Sequence, residues 1–185
     1  REYGRDLTGD GGGFQCELKL NSANILTIGS EFIRSDYDYV SDDPTEEFSG
    51  DTQTKAFYLQ YKLTLLKKKL ILTLGARLDS HSAFGEEISP KAACRYHLTD
   101  CVSIHAGIGK AFLAPSPDDL YKPTYKAWWS GNVYMSNPDL KPELGMSYEL
   151  GTRVKFRKNL RASLTGFLLE AKDFITSKYI GDVAG

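Results

Sequence analysis

One stretch of the chain, between two alternating segments, contains both tryptophans and several tyrosines. The rings of Tyr and Trp stack on planar groups, and the phenol O–H and indole N–H also form hydrogen bonds. This stretch, from about Lys110 to Glu143, is rich in proline and lacks alternation, which predicts a long loop of the kind that often carries binding residues. The candidate ligand-binding residues are Tyr121, Tyr125, Trp128, Trp129 and Tyr134.

A second group of ionisable residues lies within the alternating segments, always on the polar side of the alternation. Because successive side chains of a strand point to opposite faces, these residues are predicted to project from one face of a sheet. They are available either to contact another part of the protein or to solvate a polar wall. The group comprises Arg77, Arg95, His105, Glu149 and Arg153.

Other residue types do not combine into a recognisable reaction centre. The three histidines accompany no nucleophile motif such as G-x-S-x-G, and the three cysteines fit no metal-binding spacing. The acidic segment Ser35–Asp51 lacks the EF-hand pattern and is interpreted as a long solvated loop, while Gly9–Gly13 lacks the Lys-Ser/Thr of a phosphate-binding loop and is interpreted as a flexible loop. No enzyme activity, metal or cofactor is predicted.

Composition excludes some partners and indicates the fold class. The 185 residues carry a formal net charge of -1, which provides no bulk attraction for nucleic acid. Seventeen Gly, eleven Tyr and nine Phe against two Met favour many short strands and turns over helices. The predicted class is all-β.

The clearest strand pair is Thr54–Leu65 with Leu70–Asp79. Both alternate with a period of two, and their apolar faces match only if the loop between them has an even number of residues, centred on Lys67-Lys68. The lysines of this loop are interpreted as a solvated hairpin tip rather than as a nucleic-acid patch.

A second hairpin is predicted within Ser89–Pro117. Its two runs both place even-numbered residues on the apolar face, which requires an odd loop. A three-residue loop of Leu98, Thr99 and Asp100 satisfies this condition and would pair His97 with Cys101.

Taken in order, the chain predicts about eight antiparallel strands. Tight turns near residues 21, 67, 99 and 158 alternate with longer loops near 43, 83 and 126, so that all the long loops fall at one end. Bacterial outer-membrane barrels show this asymmetry, with short periplasmic turns and long extracellular loops. A complete small eight-stranded barrel, or a soluble β-sandwich that binds a ligand without transport, is the alternative.

Several short segments are also distinctive sequence motifs. They are Gly75–Asp79, His81–Gly85, Ser89–Ala92, Leu98–Asp100, Gly107–Ser116, Leu120–Tyr121, Asn137–Glu143 and Tyr148–Gly151. In this order and spacing they resemble the barrel of TonB-dependent outer-membrane receptors, most closely the colicin I receptor and ferric enterobactin receptor group. The likeness extends from about Leu26 to Ile175.

The resemblance implies that residues 1–185 are part of a 22-stranded barrel in the bacterial outer membrane, without its plug domain and terminal strands. It also implies TonB-dependent uptake of a ferric siderophore or a similar large nutrient, coupling to the TonB complex through the missing plug, and a role as a colicin receptor. The aromatic loop residues would then contact the siderophore, or else form an aromatic girdle or pack the loop on itself. The five ionisable residues would contact the plug or solvate the wall.

Overall fold

A computed structural model describes residues 4–40, 47–126 and 132–177 of the chain. One antiparallel sheet of eight strands holds nearly all of them, in the order β1-β2-β3-β4-β5-β6-β9-β10, and β7 and β8 form a separate two-stranded sheet. The elements are β1 Gly4–Lys19, β2 Asn24–Val40, β3 Phe48–Leu65, β4 Leu70–His81, β5 Gly85–His97, β6 Val102–Leu113, α1 Pro117–Tyr121, β7 Tyr125–Lys126, β8 Val133–Tyr134, β9 Glu143–Arg157 and β10 Leu160–Lys172.

One face of the large sheet is apolar because the registers of all its strands agree. A single row of directly paired residues crosses six strands of this apolar face. It contains Tyr61, Leu74, Ala92, Ile108, Tyr148 and Leu168. On β4 the apolar residues run from Leu70 to Leu78, which is about 26 Å along a strand and about 20 Å across a membrane at a tilt of about 40°. This height matches the apolar band expected of a transmembrane barrel.

The apolar band crosses the rows of paired residues diagonally. Leu74 is in the middle of the apolar run on β4, whereas Leu168, in the same row, is the last of the alternating apolar residues on β10 before Glu170 and Lys172. Strands that tilt relative to a barrel axis produce this offset, because a row of hydrogen-bonded residues then rises from strand to strand.

The sheet is open. Strands β1 and β10 form its two edges, and within the described ranges 4–40, 47–126 and 132–177 they do not pair with each other. A complete eight-stranded barrel requires that pairing and a sandwich requires two packed sheets, so neither alternative describes this architecture. In the parts of the chain that the structure describes, no helix is long and apolar enough to cross a membrane.

The register of the β5–β6 hairpin differs from the predicted one by two residues. His97 pairs with Ser103 and not with Cys101, which leaves a five-residue connection. Within it the Thr99 hydroxyl accepts hydrogen bonds from the backbone N–H of Cys101 (3.2 Å) and of Val102 (3.0 Å). The number of loop residues is still odd, so the apolar faces match as predicted; the Thr99 side chain stabilises the longer turn.

The prediction for the β3–β4 hairpin is confirmed: Leu65 pairs with Leu70 across the four residues 66–69. A tight turn near residue 158 is also present, and after a bulge Val154 pairs with Ala162, which keeps the apolar faces of β9 and β10 together.

Three predicted loops are wrong. Gly9–Gly13 lies inside β1, paired with β2, and the two ends of Ser35–Asp51 extend β2 to Val40 and begin β3 at Phe48, whereas residues 41–46 lie outside the described residues. Backbone ladder bonds hold these polar segments extended even though neither face is strongly apolar. The connection near residue 83 is a tight turn, because His81 pairs with Gly85.

Candidate functional site

The polar face of the sheet is built around glycines that make room for side chains of neighbouring strands. Tyr58 lies across Gly29, where an added Cβ would be 2.2 Å from the tyrosine ring, and its hydroxyl donates a hydrogen bond to Gln15 at 2.9 Å. Glu149 lies against Gly107 in the same way. Large polar side chains can therefore lie flat on this face.

Arg77 is held on the polar face by two carboxylates. Its Nε lies 2.9 and 3.0 Å from the two oxygens of Asp79, and its Nη1 lies 2.7 Å from Glu31 on β2. Asp79 is only 3% exposed, and Ala56, which pairs with both Glu31 and Asp79, is also buried. The guanidinium thus ties β2 to β4 across β3, and we call these three side chains the Arg77 triad.

The other predicted ionisable residues share the polar face but are separate from the triad. Arg95 and His105 pair directly across β5 and β6, and His105 Nε2 lies 3.3 Å from the hydroxyl of Thr165. Glu149 and Arg153 are both exposed and lie four residues apart on the same face of β9. Within the described residues, neither Arg95 nor Arg153 forms an ion pair with an acidic side chain.

The long connection after β6 folds toward the sheet through α1. Ser116 caps this short helix: its hydroxyl accepts from the Asp119 N–H, and the Asp119 carboxylate accepts from the Ser116 N–H. Leu120 on the helix is 2% exposed, and the Asn137 N–H donates to the Asp119 carbonyl at 2.8 Å. The described residues around α1 are therefore packed together.

An aromatic cluster joins this connection to the extended ends of β2 and β3. The Tyr121 ring stacks on Tyr37 with centroids 6.2 Å apart and planes inclined by 7°, and Phe48 contacts both Tyr37 (5.9 Å) and Tyr39 (5.4 Å). The Lys122 ammonium lies 4.8 Å from the Tyr39 ring centroid, within the range of a cation–π interaction. We call Tyr37, Tyr39, Phe48, Tyr121 and Lys122 the aromatic bridge.

Burial affects two groups beyond the apolar band. It raises the pKa of the Tyr37 phenol, an effect to which Tyr121 and then Asp51 add by charge repulsion. Burial lowers the pKa of His81, whose ring stacks on Phe84 at 4.2 Å. Both groups are therefore held in their neutral forms around neutral pH.

The aromatic loop candidates divide by position. Tyr121 belongs to the bridge and is 39% exposed, so that part of its ring is accessible. Tyr134 lies half-buried in β8, and the backbone of Tyr125 pairs with it. Trp128 and Trp129 lie outside the described residues.

Two features were missed at the sequence level, namely the bridge residues on β2 and β3 and the carboxylates that bind Arg77. The alternation Asp36-Tyr37-Asp38-Tyr39 was a usable signal, because a period of two indicates a strand even when the polar residues are acidic. No sequence signal connects Arg77 to Glu31, 46 residues away.

No group of three or more His, Cys, Asp or Glu among the described residues is arranged to hold a metal ion. The described geometry offers instead a polar wall, with α1 packed over one of its ends.

Comparison with known proteins identifies the family. The chain matches the family described as "TonB dependent receptor-like, beta-barrel" over residues 1–185. It is 33% identical to the iron-regulated outer membrane virulence protein of Vibrio cholerae over 60% of this chain and 17% of that protein. It is 30% identical to the ferric enterobactin receptor of Pseudomonas aeruginosa over 94% of this chain and 26% of that protein.

Solved structures agree on the fold. The siderophore receptor PirA from Pseudomonas aeruginosa superposes with a TM-score of 0.77 at 24% identity, covering 90% of this chain and 32% of that one. The copper transporter OprC superposes with a TM-score of 0.69 at 16% identity, covering 92% of this chain and 31% of that one. At these identities the likeness concerns the fold alone.

The chain spans between about a sixth and a third of the length of these relatives. The family match over all residues confirms the predicted family. The eight-stranded antiparallel sheet with short turns at one end confirms the predicted fold class. The chain belongs to the TonB-dependent receptor family and forms an eight-stranded part of its outer-membrane β-barrel.

Proposed function

We propose that the receptor containing this segment takes up an iron chelate, of the ferric siderophore class, across the outer membrane in a TonB-dependent manner. The observation that carries the proposal is the family match over the whole chain, together with relatives named as siderophore and ferric enterobactin receptors. Other relatives are named as a hemin receptor and a vitamin B12 transporter, so the ligand class must be tested rather than assumed.

The segment's part in this function would be to form a wall and to order an extracellular loop. The aromatic bridge holds α1 on the polar face, beyond the apolar band and at the end where the long loop lies. A ligand arriving from outside would meet this loop before it reached the Arg77 triad. Tyr121, with its partly accessible ring, is the described residue best placed for such a contact.

We propose the remaining roles on the same basis. Tyr125, Trp128, Trp129 and Tyr134 are ligand-contact candidates, and Arg95, His105, Glu149 and Arg153 are candidates for contacts to a plug domain. From the family resemblance we also propose that uptake is coupled to energy through TonB, that a colicin uses the receptor, and that the receptor has no enzyme activity. Arg77 is a weaker plug candidate, because two carboxylates of the wall already bind it.

Uptake of radiolabelled iron by cells with and without the full-length receptor tests the function. We expect loss of uptake for one member of a panel of iron chelates that includes catecholate and hydroxamate siderophores and hemin. Uptake should also be lost in a strain without TonB. Unchanged uptake for every chelate in cells that lack the receptor would contradict the proposal.

Two substitutions test whether the loop binds the transported chelate. Tyr121→Ala should weaken ligand binding to the full receptor, whereas Tyr148→Ala on the apolar face should not, although both remove a tyrosine of similar exposure. The affinity of the purified receptor for the transported chelate distinguishes the two. Equal affinities of the Tyr121→Ala and native receptors would remove Tyr121 from the ligand site. Killing of cells that express the receptor by a panel of colicins tests the colicin role.

A further inference from the structure

Two of the tight turns carry clusters of cations. The β3–β4 turn contains Lys67, Lys68 and Lys69, and the β9–β10 turn contains Arg157 and Lys158. The other two turns at this end contain no cation: residues 20–24 are uncharged, and residues 98–101 include Asp100. We call residues 66–69 and 157–159 the cationic turns.

The β3–β4 turn has a backbone conformation that lysine disfavours. Leu66, Lys67 and Lys68 all have positive φ angles, of 50°, 54° and 74°. Glycine and asparagine adopt this region most readily, and other residues are strained there. Three consecutive residues of this turn, two of them lysines, therefore occupy positions that suit glycine or asparagine better.

Each cationic turn is flanked by exposed apolar side chains. Leu66 is 61% exposed in the first turn and Leu65, just before it, is 38% exposed. Phe156 and Leu160, on either side of the second turn, are 61% and 54% exposed. Leu65, Phe156 and Leu160 belong to the apolar face, which meets lipid in this family.

The cationic and the apolar side chains therefore lie together at the boundary of the apolar band. Short turns of an outer-membrane barrel lie on the periplasmic side. At that height the acyl chains of the periplasmic leaflet end and its phosphates begin. Lysine and arginine stems can lie along apolar surface while their charges reach the headgroups.

We propose that the two cationic turns bind the phosphates of anionic glycerophospholipids in the periplasmic leaflet of the outer membrane. Each Lys or Arg near an anionic membrane surface favours binding by about 1 kcal/mol, or about fivefold. The inference depends on the orientation of the barrel and not on which chelate it carries. An acidic protein partner would account for the charges but not for the exposed Leu66 among them.

The test uses the full-length receptor in nanodiscs of phosphatidylcholine with a minority of phosphatidylglycerol. Native mass spectrometry of the released receptor measures how strongly each lipid is retained. The variant Lys67→Asn/Lys68→Gly/Lys69→Gln removes three charges and places residues suited to positive φ at the two strained lysine positions. Its midpoint of unfolding in urea should therefore equal or exceed that of the native receptor.

We expect this variant to lose phosphatidylglycerol preference by about fivefold for each lysine removed at low salt, and by less at high salt. Arg157→Gln/Lys158→Gln should lose it by a smaller factor, because fewer charges are removed. The control is Lys62→Gln, which removes an exposed lysine from the polar face of β3, away from lipid and outside the cationic turns.

Unchanged lipid preference in both turn variants, or an equal loss in Lys62→Gln, would overturn the proposal. So would intact lipid preference combined with loss of cross-linking to a periplasmic protein, which would identify the turns as a protein-binding surface. A loss of iron uptake in the turn variants without a change in lipid preference would likewise overturn the proposal, and it would assign the cationic turns to transport instead.

Discussion

Substitution of Arg77 by Leu should destabilise the barrel by about 2–3 kcal/mol, mainly through the buried carboxylate that it leaves behind. Removing one partner of a fully buried ion pair costs about 3–5 kcal/mol, whereas an exposed pair contributes about 0–1 kcal/mol. The Arg77–Glu31 pair is near the exposed limit, since its side chains are 34% and 38% exposed. The Asp79 side chain is only 4% exposed, so the Arg77–Asp79 contact supplies most of the effect.

Urea unfolding of the full-length receptor in detergent, followed by tryptophan fluorescence, measures this loss. A double-mutant cycle separates the wall contact from any contact that Arg77 makes elsewhere. In the Asp79→Leu background, Arg77→Leu should cost less than about 1 kcal/mol, because no buried carboxylate is then stranded. Arg77→Lys should fall between Leu and the native residue, since a single ammonium cannot reach both Glu31 and Asp79 with the geometry of a guanidinium.

Two results would refute the reasoning. A cost below about 0.5 kcal/mol for Arg77→Leu would mean that water solvates Asp79 well enough to replace the guanidinium. An equal cost in the native and Asp79→Leu backgrounds would mean that Arg77 acts through Glu31 or through a partner outside this segment, such as a plug domain, and not through Asp79.

Three further predictions concern the aromatic bridge and the glycines. Tyr37→Ala removes two aromatic contacts worth about 0.5–1.5 kcal/mol each, so amide exchange in the Tyr121 helix should accelerate about tenfold while exchange in β4 and β5 stays unchanged. Burial raises the pKa of Tyr37 in the folded state, so the stability that its neutral phenol contributes is complete below about pH 10 and is lost as the pH rises further. Amide exchange rates measured as a function of pH should show this loss. The pH dependence should be absent in Tyr37→Phe. Gly29→Ala should destabilise the barrel by about 1–3 kcal/mol in urea unfolding, because the added Cβ would overlap the Tyr58 ring. Gly12→Ala should change the midpoint of urea unfolding little, because no atom lies within 4 Å of its added Cβ. Equal midpoints for the two variants would contradict the packing argument.

Much of the sheet could be predicted from the sequence because the constraint is local. In Thr54–Leu65 each residue faces either lipid or the polar interior, so the apolar alternation itself marks the strand and its faces. The parity of each loop then restricts the register. It cannot select between registers that differ by two residues, which is why the β5–β6 turn was predicted two residues too short.

The extended ends of β1–β3 were missed for a related reason. Beyond the apolar band both faces of a strand carry polar residues, so hydropathy no longer distinguishes a strand from a loop. The Asp-Tyr alternation at 36–39 survives there, but its tyrosines are buried by α1, whose residues lie some 80 positions later in the chain.

The sequence by itself determined the class of protein, the strand faces, the asymmetry of turns and loops, and the family. These follow from side-chain alternation against an apolar solvent and from short contiguous motifs, both of which are properties of neighbouring residues. Only the tertiary structure decided that Arg77 binds Glu31 and Asp79, that Tyr37 stacks on Tyr121, and that two turns combine lysine or arginine with exposed apolar residues. Those contacts depend on the register of several strands at once and on the path of a long loop, which no local pattern specifies.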